Sequence, residues 1–345
     1  MLDYIIVGAG LSGISIAEEL INKGKTVMVY ENNSQNSSTV AGGIFNPVIL
    51  KRFTQAWNAG EQLQTALPFY RSLENKLGVK LIEDLPIYRK FNSIEEQNNW
   101  FSAMDKPQVE PFLDSSLTPS VNKNIPSNFS FGRVKGTGRI DTSLLIKKYR
   151  QYLKDRGSLI SSEFDHAKLI IEEEGVAYED IKAEKILFCE GFGMVENPYF
   201  NFLPLHGNKG EYLIIKSKEL KLDVAVKSSV FILPLGDDLY KIGATYDHSD
   251  TSPNPTTKAR ETLESQVRKM LICDFEIIDQ VAGIRPATND RKPVVGRHPV
   301  HSRLYCCNGY GSRGVLIAPT VAKEFAAFLE EGKPLDPEID LKRYL

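Results

Sequence analysis

Apolar residues gather in two runs, Tyr4–Val7 and Thr26–Tyr30, and between them Ile14–Ile21 places its apolar positions with helical spacing. This pattern predicts strand, helix, strand, a single βαβ unit at the start of the chain. Ser34–Thr39 then reads as a polar loop, and Ala41-Gly42-Gly43 as a stretch small enough to let backbone approach a ligand. Helical periodicity returns over Gln55–Leu77, closed by Gly78, and over Glu95–Met104. Lys106–Asn128 is rich in Pro, Ser and Asn, lacks a period, and is expected to wrap the surface of a second domain. Asp141 predicts an acidic N-cap for a helix carrying Leu144, Leu145, Tyr149 and Leu153 and closing at Gly157. Short strands follow, turning at Glu174-Gly175, and Lys185–Cys189 has the pattern of a buried strand running out at Gly191. Gly210–Thr245 is β-rich, with strands expected over Tyr212–Ile215, Ser229–Pro234 and Leu239–Ala244. Lys258–Ile272 predicts a helix, Leu304–Cys307 a strand and Ala318–Leu329 a last helix.

The junction of the first strand and helix reads Gly8-Ala9-Gly10-Leu11-Ser12-Gly13, and Glu31 ends the second strand eighteen residues after Gly13. Each residue type has a physical reason. Gly8 permits the tight turn, Gly10 lets backbone reach a pyrophosphate at the helix N-terminus, Gly13 allows close helix packing, and Glu31 can accept ribose hydroxyls. In this βαβ setting the motif predicts a dinucleotide site. FAD and NAD both present ADP to it, so the motif does not divide them.

Composition narrows the class. At 345 residues, two interlocked domains are expected, and 42% hydrophobic with 25% charged residues is an ordinary globular balance. No run of the roughly 20 apolar residues needed to span a bilayer occurs. The 42 basic residues are outnumbered by 44 acidic ones, which offers no footprint for a polyanion, so nucleic acid is not an expected partner. Asp3 and three glycines interrupt the apolar N-terminus, which therefore reads as folded structure rather than a signal peptide. Cys189 and Cys273 lie in apolar segments and Cys306 and Cys307 would face opposite sides of a strand, so a reduced, cytoplasmic protein is expected. No Cys/His spacing suits a metal.

The C-terminal third decides between the dinucleotides. Gly283-Ile284-Arg285-Pro286-Ala287-Thr288-Asn289-Asp290-Arg291-Lys292-Pro293-Val294-Val295-Gly296, followed by Asn308-Gly309-Tyr310-Gly311-Ser312-Arg313-Gly314-Val315, resembles the glycine oxidase, D-amino-acid oxidase and sarcosine oxidase family of flavoproteins. The 210–280 segment, with Ile242-Gly243-Ala244-Thr245, is similar to that family's substrate domain. The resemblance implies an α/β FAD-binding dinucleotide fold made of 1–45, 137–203 and 280–345. Beside it an α+β substrate domain, a discontinuous antiparallel sheet, would comprise 46–136 and 204–279. It implies FAD held noncovalently, because the family's covalent members use a cysteine in the segment that here reads Gly283–Thr288, where none stands. Gly8, Gly10, Ser12, Gly13, Glu31, Ala41, Gly42, Gly43 and Gly191 would hold the cofactor, with Gly309, Gly311, Ser312, Arg313, Gly314 and Val315 at its flavin end.

Arg285 is implied as the binder of a substrate carboxylate, since a guanidinium makes a bidentate, permanently charged fork. An ion pair with one of the many acidic residues is the competing assignment. Arg313 stands in a Gly-Ser-Arg-Gly setting closer to the flavin domain of the bifunctional enzyme that trims carboxymethylaminomethyl-uridine in tRNA. Tyr246, His206 and His248 are candidates for deprotonating an amine. Lys51-Arg52 and Glu172–Glu174 read as solvated charges. The expected activity is oxidation of a small amine or amino acid, such as an N-substituted glycine, with molecular oxygen, a quinone or a carrier protein taking the electrons. The rivals are a modified tRNA uridine as substrate and a non-catalytic flavin-binding protein.

Overall fold

The computed structural model describes residues 1–345. The opening unit forms as its pattern predicts, with strand Leu2–Val7, helix Leu11–Asn22 and strand Val27–Tyr30, the two strands parallel neighbours. Side chains alternate across the first strand: Tyr4 and Ile6 enter one apolar cluster, Ile5 and Val7 another on the opposite face. Burial on both faces is what a helix-covered parallel sheet requires. Its parallel strands run in the order Leu159–Ile160, Val27–Tyr30, Leu2–Val7, Ile181–Phe188 and Leu304–Asn308. Cys306 and Cys307 fall in the two different clusters, as their adjacency predicts, and all four cysteines are free and buried.

A second sheet of eight strands faces the first. Its order is Glu276–Ala287, His206–Lys216, Leu239–Gly243, Phe231–Gly236, Ala225–Lys227, Ile87–Lys90, Phe131–Val134 and Leu113–Thr118. All pairs are antiparallel except Ala225–Lys227 with Ile87–Lys90. Leu213, Ile215, Ile232 and Ile242 bury the outer face against Leu263 and Val267 of helix Thr257–Arg268. By the two-residue period, Tyr212, Phe231, Leu233 and Gly243 are left on the inner face. No helix is long and apolar enough to cross a membrane.

The Asp141 carboxylate caps helix Thr142–Asp155 by accepting from Leu144 N at 2.9 Å, an interaction that contributes about 1 kcal/mol. Several elements differ from expectation. Ser37–Val40 forms a short helix inside the supposed polar loop. Leu113–Thr118 is an edge strand inside the supposedly irregular stretch, half exposed and therefore without an apolar period. The third helix begins at Ala59, after Thr54–Gln55 pairs as a strand with Val48–Ile49. The last helix begins at Gly314, four residues early, because its first turns are apolar on all sides and buried. Glu276–Ala287, the longest strand, was not anticipated; its first residues are half exposed and its continuity comes from pairing with His206–Lys216. The expected boundary at 279/280 falls inside this strand.

Candidate active site

A cavity of about 1020 Å³ opens between the C-terminal ends of the parallel strands and the inner face of the second sheet. That is the crevice in which open α/β sheets bind ligands, and the volume is at the upper end for small-molecule and cofactor sites. Two helices begin on it, Leu11–Asn22 after Gly10 and Gly314–Glu331 after Arg313. Neither has a side-chain cap hydrogen bond from its N-cap residue or an acid in its first turn, so both present positive dipole ends to the cavity.

The glycines divide by what surrounds them. A Cβ on Gly8, where φ is +99°, would lie 2.5 Å from the Cys189 carbonyl oxygen, and one on Gly13 would lie 1.8 Å from the Gly8 oxygen. Both are demanded by the packing of strand and helix. A Cβ on Gly10 would meet only Ser38 Oγ, at 3.3 Å. Protein atoms leave that space open, and it faces the cavity, as a backbone that must approach a pyrophosphate requires. Gly13 and Gly309 do not line the cavity; Gly309, at φ +81°, turns the chain against Thr288 and Val294.

Glu31 lines the cavity at the end of the second strand. It is buried, accepts from Ala9 N and Asn33 N at 2.6 Å each, and pairs with Arg150 at 2.8 Å. Arg150, which the sequence reading missed, thus fixes the carboxylate's direction. The apolar face of its helix was legible; a cation on the other face was not distinguishable from solvated charge. Ala41, Gly42, Gly43 and Gly191 line the same wall. Ser12 also lines it, and its hydroxyl donates to the Cys307 carbonyl at 2.7 Å, tying the first helix to the strand before the glycine loop.

Gly311, Ser312, Arg313, Gly314 and Val315 form the far wall. Their loop is pinned where Gly311 N donates to the Pro286 carbonyl at 2.8 Å. Arg285, next to Pro286, also lines the cavity. Its guanidinium meets no carboxylate: it donates weakly to Asn208 Oδ1 at 3.3 Å and the Thr245 carbonyl at 3.4 Å, and lies 4.8 Å from the centre of the Tyr246 ring. A Cβ on Gly210 would stand 1.9 Å from Arg285 Nη2, so the glycine in this strand makes room for the guanidinium. The competing assignment of Arg285 to a structural ion pair finds no partner acid here.

Tyr246 lines the cavity, mostly exposed. His206 does not; it is exposed and bonded to Asn289 Oδ1 at 2.7 Å. His248 is likewise outside, bonded to Asn208. His206 is on the same face of its strand as Gly210 and Tyr212 but lies four residues before Gly210, past the edge of the cavity, and the sequence carried no signal for where the cavity ends. Lys51 and Arg52, expected as a solvated pair, are both exposed, and Lys51 also lines the cavity.

Residues 3–328 match the FAD dependent oxidoreductase family, DAO. The chain belongs to that family. It is 22% identical to glycine oxidase of Pseudomonas aeruginosa, over 96% of each chain. It is 21% identical to the tRNA 5-methylaminomethyl-2-thiouridine biosynthesis bifunctional protein MnmC of Legionella pneumophila, over 94% of this chain and 54% of that one. Among solved structures, glycine oxidase from Geobacillus kaustophilus superposes with a TM-score of 0.83 at 18% identity, covering 99% of this chain and 97% of that one. At such identity the superposition speaks for the fold alone.

The protein is an FAD-dependent oxidoreductase, and the cavity fits the cofactor: an open Gly10, a directed Glu31 and two helix N-termini suit a ligand with a ribose, a pyrophosphate and an electron-accepting ring. Cys189 is the one cysteine on the wall. Its hydrogen bond with Cys307 and its burial push the thiol well above the usual range, which disfavours the thiolate that would attack a flavin. Acid precipitation is therefore expected to release all yellow colour from the purified protein; colour retained by the pellet would contradict noncovalent binding.

Proposed function

We propose that this flavoprotein oxidises a small amino acid or amine at the carbon next to nitrogen, with an N-substituted glycine the best-suited substrate and molecular oxygen the electron acceptor. The observation that carries the reading is Arg285, a cation facing the cavity without a carboxylate of the protein beside it. Arg285 holds the substrate carboxylate through its fork, and Tyr246 supports the guanidinium from below. FAD supplies the redox chemistry when bound. The amine must present a free lone pair, and Tyr246 is the one expected proton acceptor that lines the cavity. The N-terminus of helix Gly314–Glu331 offsets negative charge arising at the glycine loop.

The test is anaerobic bleaching of the flavin absorbance by a panel of amines and amino acids. Bleaching by N-substituted glycines ahead of amines without a carboxylate is the expected outcome. A flavin that no member reduces would mark a binding protein instead of this enzyme.

A further inference from the structure

On the inner face of the second sheet, residues from five adjacent strands stand in one row. Tyr212 is opposite Gly243, Gly243 opposite Phe231, Phe231 opposite Lys227, and Lys227 opposite Arg89. All five line the cavity. Gly210, beneath the Arg285 guanidinium, is on the same strand as Tyr212. Strands are ~4.8 Å apart, so Lys227 stands three spacings, roughly 14 Å, across the sheet from that strand. Gly243 adds no side chain between them, and the row from Arg285 to Lys227 passes the rings of Tyr212 and Phe231 along the cavity.

The charges along the cavity are segregated. Its acids, Glu31, Glu163, Glu190 and Glu196, all follow strands of the first sheet. The far end of the track carries Arg89 and Lys227, and Lys51 lines the same cavity. Arg89 is neutralised by Glu96. Lys227 is not: its ammonium donates to the Ser229 carbonyl at 2.8 Å and lies over the Phe231 ring at 5.2 Å, with no carboxylate in reach. Lys51 has no acid partner either, and its segment packs through Val48 and Leu50 into the apolar cluster that holds Ala225 and Ile87 of the track's last two strands. Desolvation and the neighbouring Arg89 bring the Lys227 pKa down to about 8. Lys227 is partly buried and Lys51 exposed, and a partly desolvated cation without a counter-ion gains from a ligand that completes the pair.

We propose that the substrate carries a second anionic group, a carboxylate or phosphate at its far end, which Lys227 and Lys51 bind while Arg285 holds the carboxylate next to the reacting amine. This rests on the reading of Arg285 given above. The substrate class is then an N-substituted glycine with an elongated, anion-terminated substituent, longer than a minimal dicarboxylate.

The experiment compares, on the FAD-loaded enzyme under anaerobic conditions, N-alkylglycines of increasing length ending in methyl, carboxylate or phosphonate. At one preferred length the anion-ended probes should reduce the flavin at a half-saturating concentration roughly ten-fold below the methyl-ended probe. Lys227→Gln should bring that ratio toward one, and the ratio should also fall as pH rises through about 8. Lys227 then loses its proton; the groups facing it are Arg89 and its ion-pair partner Glu96. Flavin spectral shifts on binding α,ω-dicarboxylates supply a second readout that needs no turnover.

A ratio of one at every length, with the methyl-ended probes still oxidised, overturns this proposal and leaves the Arg285 reading standing. An intact ratio in Lys227→Gln overturns it equally. Methyl-ended glycines no better than the corresponding alkylamines would instead remove the Arg285 reading. RNA binding that depends on Lys227, with no preference for the phosphonate probes, would overturn the small-molecule form in favour of a nucleic-acid substrate.

Discussion

Arg285→Ala is expected to keep both flavin and fold while raising the half-saturating concentration of a carboxylate-bearing substrate roughly 10- to 100-fold. A charge-assisted, bidentate contact contributes about 1.5 to 3 kcal/mol, and each 1.4 kcal/mol is about ten-fold in affinity. The fold should be indifferent because removing Arg285 strands no buried acid; its protein partners are an amide and a carbonyl at 3.3 and 3.4 Å. Arg285→Lys should recover part of the loss, since ammonium keeps the charge without the fork. Gly210→Ala approaches the same point from the other side. Its Cβ would stand 1.9 Å from Nη2, so the guanidinium must swing away although Arg285 itself remains. Steady-state kinetics with an acid substrate and a neutral amine as control decide the matter. If both substrates suffer alike, or neither does, Arg285 has a structural role and the carboxylate assignment falls.

Gly10→Val is expected to yield folded protein without FAD. The Cβ would meet only the Ser38 hydroxyl at 3.3 Å, which a small rotation of that side chain relieves, so the helix can still start. The branched side chain would then occupy the space through which backbone reaches the pyrophosphate. Gly13→Ala should behave in the opposite way. Its Cβ would be driven to 1.8 Å from a backbone oxygen of Gly8, which cannot rotate aside, so the βαβ unit itself is disrupted. Visible absorbance per chain, read beside circular dichroism and thermal unfolding, separates the two. Full flavin occupancy in Gly10→Val would reduce the motif to a turn.

The contrast between Gly10 and Gly13 also shows how far sequence reasoning reaches. The βαβ unit was legible because its determinants are local: helical spacing between two apolar runs, glycines at the turn, and an acid closing the second strand. The helix capped by Asp141 and the hairpin around Glu174-Gly175 were legible for the same reason. Where an element depends on its neighbours, the pattern was silent. Leu113–Thr118 is half exposed at a sheet edge, and Glu276–Ala287 has no simple alternation, so pairing alone makes them strands. The buried start of helix Gly314–Glu331 hid its boundary because an all-apolar turn has no period.

By itself, the sequence pointed to a dinucleotide site at the first βα turn, with Glu31 at the end of the next strand, and to a glycine loop before the last helix. Only the tertiary structure decided which charges are left without partners. Lys227 and Lys51 look in the sequence like any of the 42 basic residues, and Arg285 is marked there only by the family resemblance of its segment. Register across the second sheet sets Lys227 beside Arg89 and gives Arg285 the space above Gly210, while the extent of the cavity leaves His206 beyond its edge. The physical reason is that an ion pair is a property of two positions that the fold brings within a few ångströms, and such proximity is fixed by strand pairing rather than by spacing along the chain.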